Sequence, residues 1–197
     1  MSGIIGSYHN IRGSGIVNKL GTDGQVFTST GVGGTAGFED AAGGGKIGQV
    51  VQAVKTDTYS HSSVSWADIT GITVAITPAA TSSKILVIVN LSMGGIITSD
   101  SQAMVKLLGA GSDIYIGDAA SSRERLTTEI QQADNYGQES VNIVYLHSPS
   151  TTSETIYKVQ MRGTSTHGHY LNRGYADGDS TGDGRGASSI TVMEVLA

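Results

Sequence analysis

From residue 47 onward, apolar and polar positions alternate with a period of two, in short runs separated by Gly, Ser, Asp or Pro. Val, Ile, Thr and Tyr fill those runs. Both features belong to strands that bury one face. The pattern predicts strands over 47–55, 62–69, 71–77, 84–92, 102–109, 112–117, 140–147, 154–162, 167–172 and 187–196. Pro78 should end the third of these, because proline cannot donate to a ladder. Pro149 belongs to the Ser/Thr-rich turn before the eighth. The stretch 121–135 (SSRERLTTEIQQADN) is compatible with a helix, and its RERLTTEI equally with a strand.

About ten short strands over roughly 150 residues point to an all-β sandwich or barrel, and the length suits a jelly roll. A domain of that size can bury a sizeable core. Ile85-Leu86-Val87-Ile88-Val89 is the longest apolar run. Val87 and Val89 share one face of its strand, and Leu86 and Ile88 the other. Apolarity on both faces predicts a central strand covered on both sides. The last strand, ASSITVMEVL, should be buried for the same reason. An apolar face left over once the sandwich closes would have to be covered by oligomerisation.

The first 48 residues differ. They hold 14 of the 28 glycines, and their apolar side chains come singly or in pairs. Such a segment cannot bury enough surface to offset its own conformational entropy. We therefore divide the chain into an extended Gly-rich N-terminal anchoring arm, 1–46, and a β-sandwich domain, 47–197. The arm is either a flexible tether or a segment ordered by docking elsewhere. Docking is the reading we take forward, since glycine lets backbone approach backbone closely.

Composition removes several function classes. The net charge of −5 and pI near 5.4 argue against a nucleic-acid surface. Zero cysteines exclude disulfide frameworks and thiolate metal sites. The apolar run of five residues is far short of the ~20 a membrane helix needs. No apolar run follows a basic start at the N-terminus, so the expectation is a soluble chain with no export signal and no membrane insertion.

Local motifs do not point to catalysis. In GVGGTAG, Ala36 stands where a dinucleotide fingerprint has its third glycine. In GGGKI, Lys46 is followed by Ile47 rather than Ser or Thr, and Asp40 occupies the first glycine of a P-loop. No serine elbow or zinc-protease helix motif occurs. The loop Asp177-Gly-Asp179-Ser-Thr-Gly-Asp183 offers three carboxylates, but Ser188 stands at the twelfth position where an EF-hand needs Glu. A solvated Gly/Asp hairpin is the plainer reading. His167 and His169 share a strand face and could converge on a metal at a threefold axis; an exposed polar pair at a strand end is the plainer alternative. His61 and His147 have no sequence partner. Tyr59, Trp66, Tyr115, Tyr136, Tyr145, Tyr157, Tyr170 and Tyr175 fit a sugar-binding surface, or more simply strand and core positions. Arg123-Glu124-Arg125 fits surface ion pairs or a subunit contact. No carboxylate pair is placed for glycoside hydrolysis. We expect no enzyme activity, no catalytic residues, no cofactor and no resident metal.

Two stretches carry a family resemblance. Leu20-Gly-Thr-Asp-Gly-Gln-Val-Phe-Thr-Ser-Thr-Gly31, with the following GGTAGFEDAAGGGKI, resembles a segment of tail-fibre and fibre-like virion proteins of tailed bacteriophages, where it precedes a C-terminal β domain. Gln49-Val-Val-Gln52 through Ile85, and the ending Gly186-Ala-Ser-Ser-Ile-Thr-Val-Met-Glu-Val195, resemble a small phage virion domain often found after it. That domain is similar to the trimeric jelly rolls of the tumour-necrosis-factor kind. The resemblance covers nearly the whole chain and brings no catalytic residues. It implies a homotrimeric virion structural protein, assembled in the host cytoplasm, displayed on the virion surface and held to capsid or tail by its arm. Only about 20 residues precede the familiar segment, where tail fibres have a long stem. A short anchor suits a capsid decoration protein or head fibre; a receptor-binding fibre tip that recognises host-surface glycan is the alternative.

Overall fold

The computed structural model describes residues 25–29, 36–40, 46–98 and 101–196. A division between Lys46 and Ile47 separates a small hairpin unit from the main domain. The hairpin pairs β1 (Gln25–Ser29) with β2 (Ala36–Asp40), antiparallel, with Phe27 opposite Phe38 in register. A segment expected to be extended is thus folded on itself over this stretch; single apolar residues in a Gly-rich run gave no periodicity from which to read it. The rest of the predicted arm lies outside the described residues.

The main domain is an all-β sandwich, with no helix among the described residues. Its strands are β3 (Ile47–Lys55), β4 (Tyr59–His61), β5 (Ala67–Ile76), β6 (Lys84–Gly95), β7 (Gln102–Gly109), β8 (Ser112–Ile114), β9 (Thr128–Gln131), β10 (Glu139–His147), β11 (Thr155–Gly163), β12 (His169–Leu171) and β13 (Ser188–Val195). In one sheet β13 lies between β3 and β6, and β10 runs along the other side of β6. The short β12 continues the β13 side of β6 and links it to β4. In the other sheet β11 lies between β5 and β7, and β8 and β9 follow one another along the far edge of β7. All pairings are antiparallel. Counting β8 and β9 as one edge, the two orders β3-β13-β6-β10 and β5-β11-β7-β8/β9 are those of a jelly roll.

The core lies between the sheets. Ile85, Val87, Val89 and Leu91 of β6 face Ile72 and Val74 of β5, Val105 and Leu107 of β7, and Val159 of β11 in one buried cluster. Along each strand the alternate residues point outward, as the two-residue period requires. The structure therefore corrects one expectation. β6 is central in its sheet, but only one of its faces, that of Val87 and Val89, lies in the core. Leu86 and Ile88 point out of the sandwich and stay half-buried. Apolarity on both faces did not mean cover on both faces by the described residues of the domain.

Boundaries differ where a glycine or a backbone twist intervenes. The predicted strands 62–69 and 71–77 become one strand, β5, which starts at Ala67; residues 62–66 are loop. Gly71, at φ +89°, absorbs a bulge in which the segment between Asp68 and Thr73 lies opposite Lys158–Gln160 of β11. A Cβ at Gly71 would meet the Lys55 side chain only in ordinary contact, at 3.5 Å, so it is the positive φ that calls for glycine. β4 was unforeseen: three residues carry too little periodicity to read. β8 stops at Ile114 rather than 117 because Tyr115 turns to φ 54°. The ambiguous stretch 121–135 is loop followed by β9, which pairs with β7.

Candidate functional site

The outward face of the β3-β13-β6-β10 sheet carries one row that is apolar across all four strands. Register places Val50, Met193, Leu86 and Leu146 side by side. The next row is Gln52, Thr191, Ile88 and Val144, with the Gln52 amide donating to Thr191 Oγ1 at 2.8 Å. Val50 is 56% exposed, Val144 58% and Leu146 45%. Such a contiguous apolar strip is unusual on a free surface. β10 adds an edge with the sequence ESVNIVYLH, paired among the described residues only to β6 and free of Lys, Pro or bulge. Devices of that kind are what keep edge strands from pairing further.

The outward face of the other sheet is charged and internally matched. Lys158 reaches Asp68 at 2.8 Å, and the Gln160 amide donates to the other Asp68 oxygen at 2.8 Å. The Lys158 hydrogen bond, with that of Gln160, holds the Asp68 carboxyl below its ordinary pKa. Nearby, the Lys106 ammonium lies 4.5 Å from the centre of the Trp66 ring and 2.9 Å from Asp113. Trp66 Nε1 donates to Glu124 at 3.3 Å, and Arg162 stands 3.8 Å from the same carboxylate. A shallow groove of about 580 Å³ runs beside this cluster, lined by Met104, Arg123, Glu124, Leu126, Thr128 and Glu129. The Arg123-Glu124-Arg125 triplet is thus divided. Glu124 anchors the tryptophan cluster, Arg123 lines the groove, and Arg125 Nε donates to the Gly117 carbonyl at 2.8 Å.

The 173–186 loop does not present its carboxylates together. Asp177 accepts Arg173 at 2.9 Å and Arg185 at 2.8 Å. Asp183 Oδ2 accepts the Ser180 hydroxyl at 2.7 Å. The Arg173 guanidinium also lies 3.8 Å above the Tyr170 ring, which leans on Tyr175. The backbone closes around these contacts: a side chain at Gly94 would collide with the Arg173 carbonyl, and one at Gly174 with that of Tyr136. Ala176 N–H donates to the Asn135 carbonyl at 3.0 Å, so Tyr136 and Tyr175 are exposed on joined loops.

The histidines are placed differently from their sequence reading. His169 is 1% exposed on β12 rather than at a free strand end. Its register partner is His61, which carried no signal in the sequence. His167 Nδ1 lies 2.7 Å from Ser165 Oγ. Among the described residues no three His, Asp or Glu side chains converge to hold a metal ion. His147, also unpartnered in sequence, lies 2.8 Å from the hydroxyl of fully buried Tyr157. Burial lowers the His147 pKa and raises that of Tyr157. Tyr115 stacks on Tyr145 at 5.0 Å, and Tyr145 on His147, so these aromatics form one ladder from surface to core. Glu194 is buried on β13, where the Ala79 N–H donates to it at 2.6 Å and lowers its pKa. Gly48 leaves room for that carboxylate. It fastens the loop after β5 to the sheet.

No protein family matches this chain, and no curated protein matches it. Solved structures with a similar course of chain include the infectious bursal disease virus VP2 subviral particle, with TM-score 0.35 and 12% identity over 88% of this chain and 43% of that one. A second is infectious bursal disease virus of the Gx strain, with TM-score 0.31 and 13% identity over 91% of this chain and 41% of that one. This chain spans less than half the length of either.

Proposed function

We propose that this chain is a non-enzymatic structural protein of a tailed-bacteriophage particle, a trimeric capsid decoration or short fibre protein held on the virion by residues 1–46. The observation that carries the assembly is the apolar row Val50, Met193, Leu86 and Leu146, which crosses about 14 Å of sheet in the one outward face that lacks matched charges. A second copy of the same chain supplies an equally apolar partner, and a cyclic arrangement closes without leaving the β10 edge free. Threefold closure and the phage setting rest on the resemblance of the Leu20–Gly31 segment and the Gly186–Val195 ending.

Light scattering on the purified full chain tests the assembly. The expected mass is three times the 20.3 kDa of one chain; a monomer at micromolar concentration overturns it. Density for the intact particle then tests the location. A second reading, a receptor-binding fibre tip, is favoured by the exposed Tyr136 and Tyr175 beside Arg185 on joined loops. Aromatic faces with fixed polar neighbours suit sugar rings. Binding of the full chain to arrayed host-surface glycans, lost in a Tyr136→Ala/Tyr175→Ala variant, would favour that reading over decoration.

A further inference from the structure

β12 is a short strand at the end of the β6 ladder and carries the most deeply buried histidine of the described residues. It is three residues long and lies between β4, also three residues, and the end of β6. His169 stands opposite His61 on β4 and opposite Gly95 on β6. Directly paired residues hold their Cβ atoms about 5 Å apart, so the two imidazoles are neighbours. His169 Nε2 is buried and has no hydrogen-bond partner. A side chain on Gly163 of β11 would stand 2.7 Å from that nitrogen, so the ring fits only because residue 163 is glycine.

The groups around His169 come from each packed element. β4 contributes His61, whose Nε2 lies 2.9 Å from the Ser65 carbonyl and donates to it. The 164–168 segment contributes His167, with its Ser165 contact. Gln132 approaches beside Gly95, its amide donating to the Met93 carbonyl at 3.0 Å. None of these groups is a carboxylate. An imidazolium at His169 would be a buried cation with an unmet N–H and two histidines as neighbours.

What β12 holds is the tyrosine-bearing loop. Asn172 follows directly. Its amide donates to the carbonyls of Lys55 and Asp57, each at 2.9 Å, and its side-chain oxygen accepts the Ser188 hydroxyl at 2.6 Å. The loop beyond is closed by the bridge between Arg173 and Arg185. The β13 and β10 ladders on β6 do not pass through β12.

We propose that β4 and β12 form an acid-released latch: protonation of His169, with His61 opposite, frees β12 from its place beside β6 and lets the 170–186 loop move while the eight-stranded sandwich stays closed. The direction follows from proton linkage. Burial first, then His61 and His167, hold the closed-form His169 down to about 4. In the opened form it takes its proton at the ordinary value of about 6.5. The closed form is therefore fully favoured above that value, loses advantage as pH falls below it, and loses no more below about 4.

Hydrogen exchange on the full chain between pH about 7.5 and about 4.5, corrected for intrinsic rates, reads the latch directly. Amides of 59–61 and 169–172 should lose protection on acidification by up to about a hundredfold, while those of 85–90 and 190–195 keep theirs. His169→Gln, which cannot take a proton, should remove the pH dependence at β4 and β12. Loss of protection in step across the whole sandwich overturns the proposal, as does an unchanged acid profile in His169→Gln. Should that variant not fold, a nuclear magnetic resonance titration of His169 in the unaltered chain decides: a titration at the ordinary histidine value overturns the latch. His147 provides an internal control. It is also held low by burial, but it pairs with Ile85 at the opposite end of β6, so its titration should leave β12 protected.

Discussion

The two outward faces of this sandwich are built from the same alternation and end up with opposite surfaces. On β5, β11 and β7 the outward positions include Asp68, Lys158, Gln160, Arg162 and Lys106, each held by a partner on the same face, with the apolar Ile156 and Ala75 paired beside them. On β3, β13, β6 and β10 they include the apolar Val50, Met193, Leu86, Ile88, Val144 and Leu146, beside the uncharged polar Gln52, Thr191, Asn90 and Asn142. The first face is complete in one chain: its charges are matched and its one tryptophan is covered by a lysine. The second is incomplete within the main domain, because none of its described residues covers it. A sheet face that water does not suit is a statement about a partner, and a charge-matched face makes no such demand.

The largest expected effect separates inside from outside on one strand. Val89→Asp places a carboxylate in the core, where Val89 is 0% exposed, at a cost of several kcal/mol against a typical stability of about 5–15 kcal/mol. That variant should be unfolded in a thermal melt. Ile88→Asp, one residue away on the outward face, should leave the chain folded and act on assembly instead. Equal loss of folding in both would erase the distinction between the faces.

Next comes the contrast between faces. Leu86→Lys in the centre of the apolar row should weaken self-association at least about a hundredfold, because a partner would bury an unpaired ammonium. Lys158→Glu on the charged face should leave association unchanged. Analytical ultracentrifugation over a dilution series distinguishes them; association lost through Lys158 and kept through Leu86 would place the interface on the wrong sheet.

Smaller changes probe the charged face alone. Trp66→Ala removes the ring beside Lys106 and the bond to Glu124, and should cost about 1–2 kcal/mol in denaturant unfolding without altering association. Smallest is Asp68→Asn, about 0.5–1 kcal/mol, since the pair with Lys158 is largely solvated. Its pH dependence has a definite sign. The folded pKa of Asp68 lies below the ordinary 3.8, so its contribution is present above that value and is lost as pH falls through the lower one. The difference between Asp68→Asn and the unaltered chain should therefore be visible at neutral pH and vanish in strong acid.

Much of the fold is legible in the order of side chains. The alternation places β3 and β7 at their observed ends, and β6, β10, β11 and β13 within a few residues, because a strand that buries one face must repeat every two positions. The all-β class and the jelly roll follow from the number and spacing of those runs. Other features depend on residues far apart in the chain. That Gly71 is a bulge within a strand, rather than a break between two, is decided by the register of β11. His61 meets His169, and His147 meets Tyr157, only because strands distant in sequence are paired or packed. The alternation also shows that β6 has two apolar faces without showing which one turns inward. Closure of the second sheet over Val87 and Val89 decides that, and it leaves Leu86 and Ile88 outside. A period of two is a local property of the backbone, whereas the choice of the buried face is made by long-range packing, which no single strand contains.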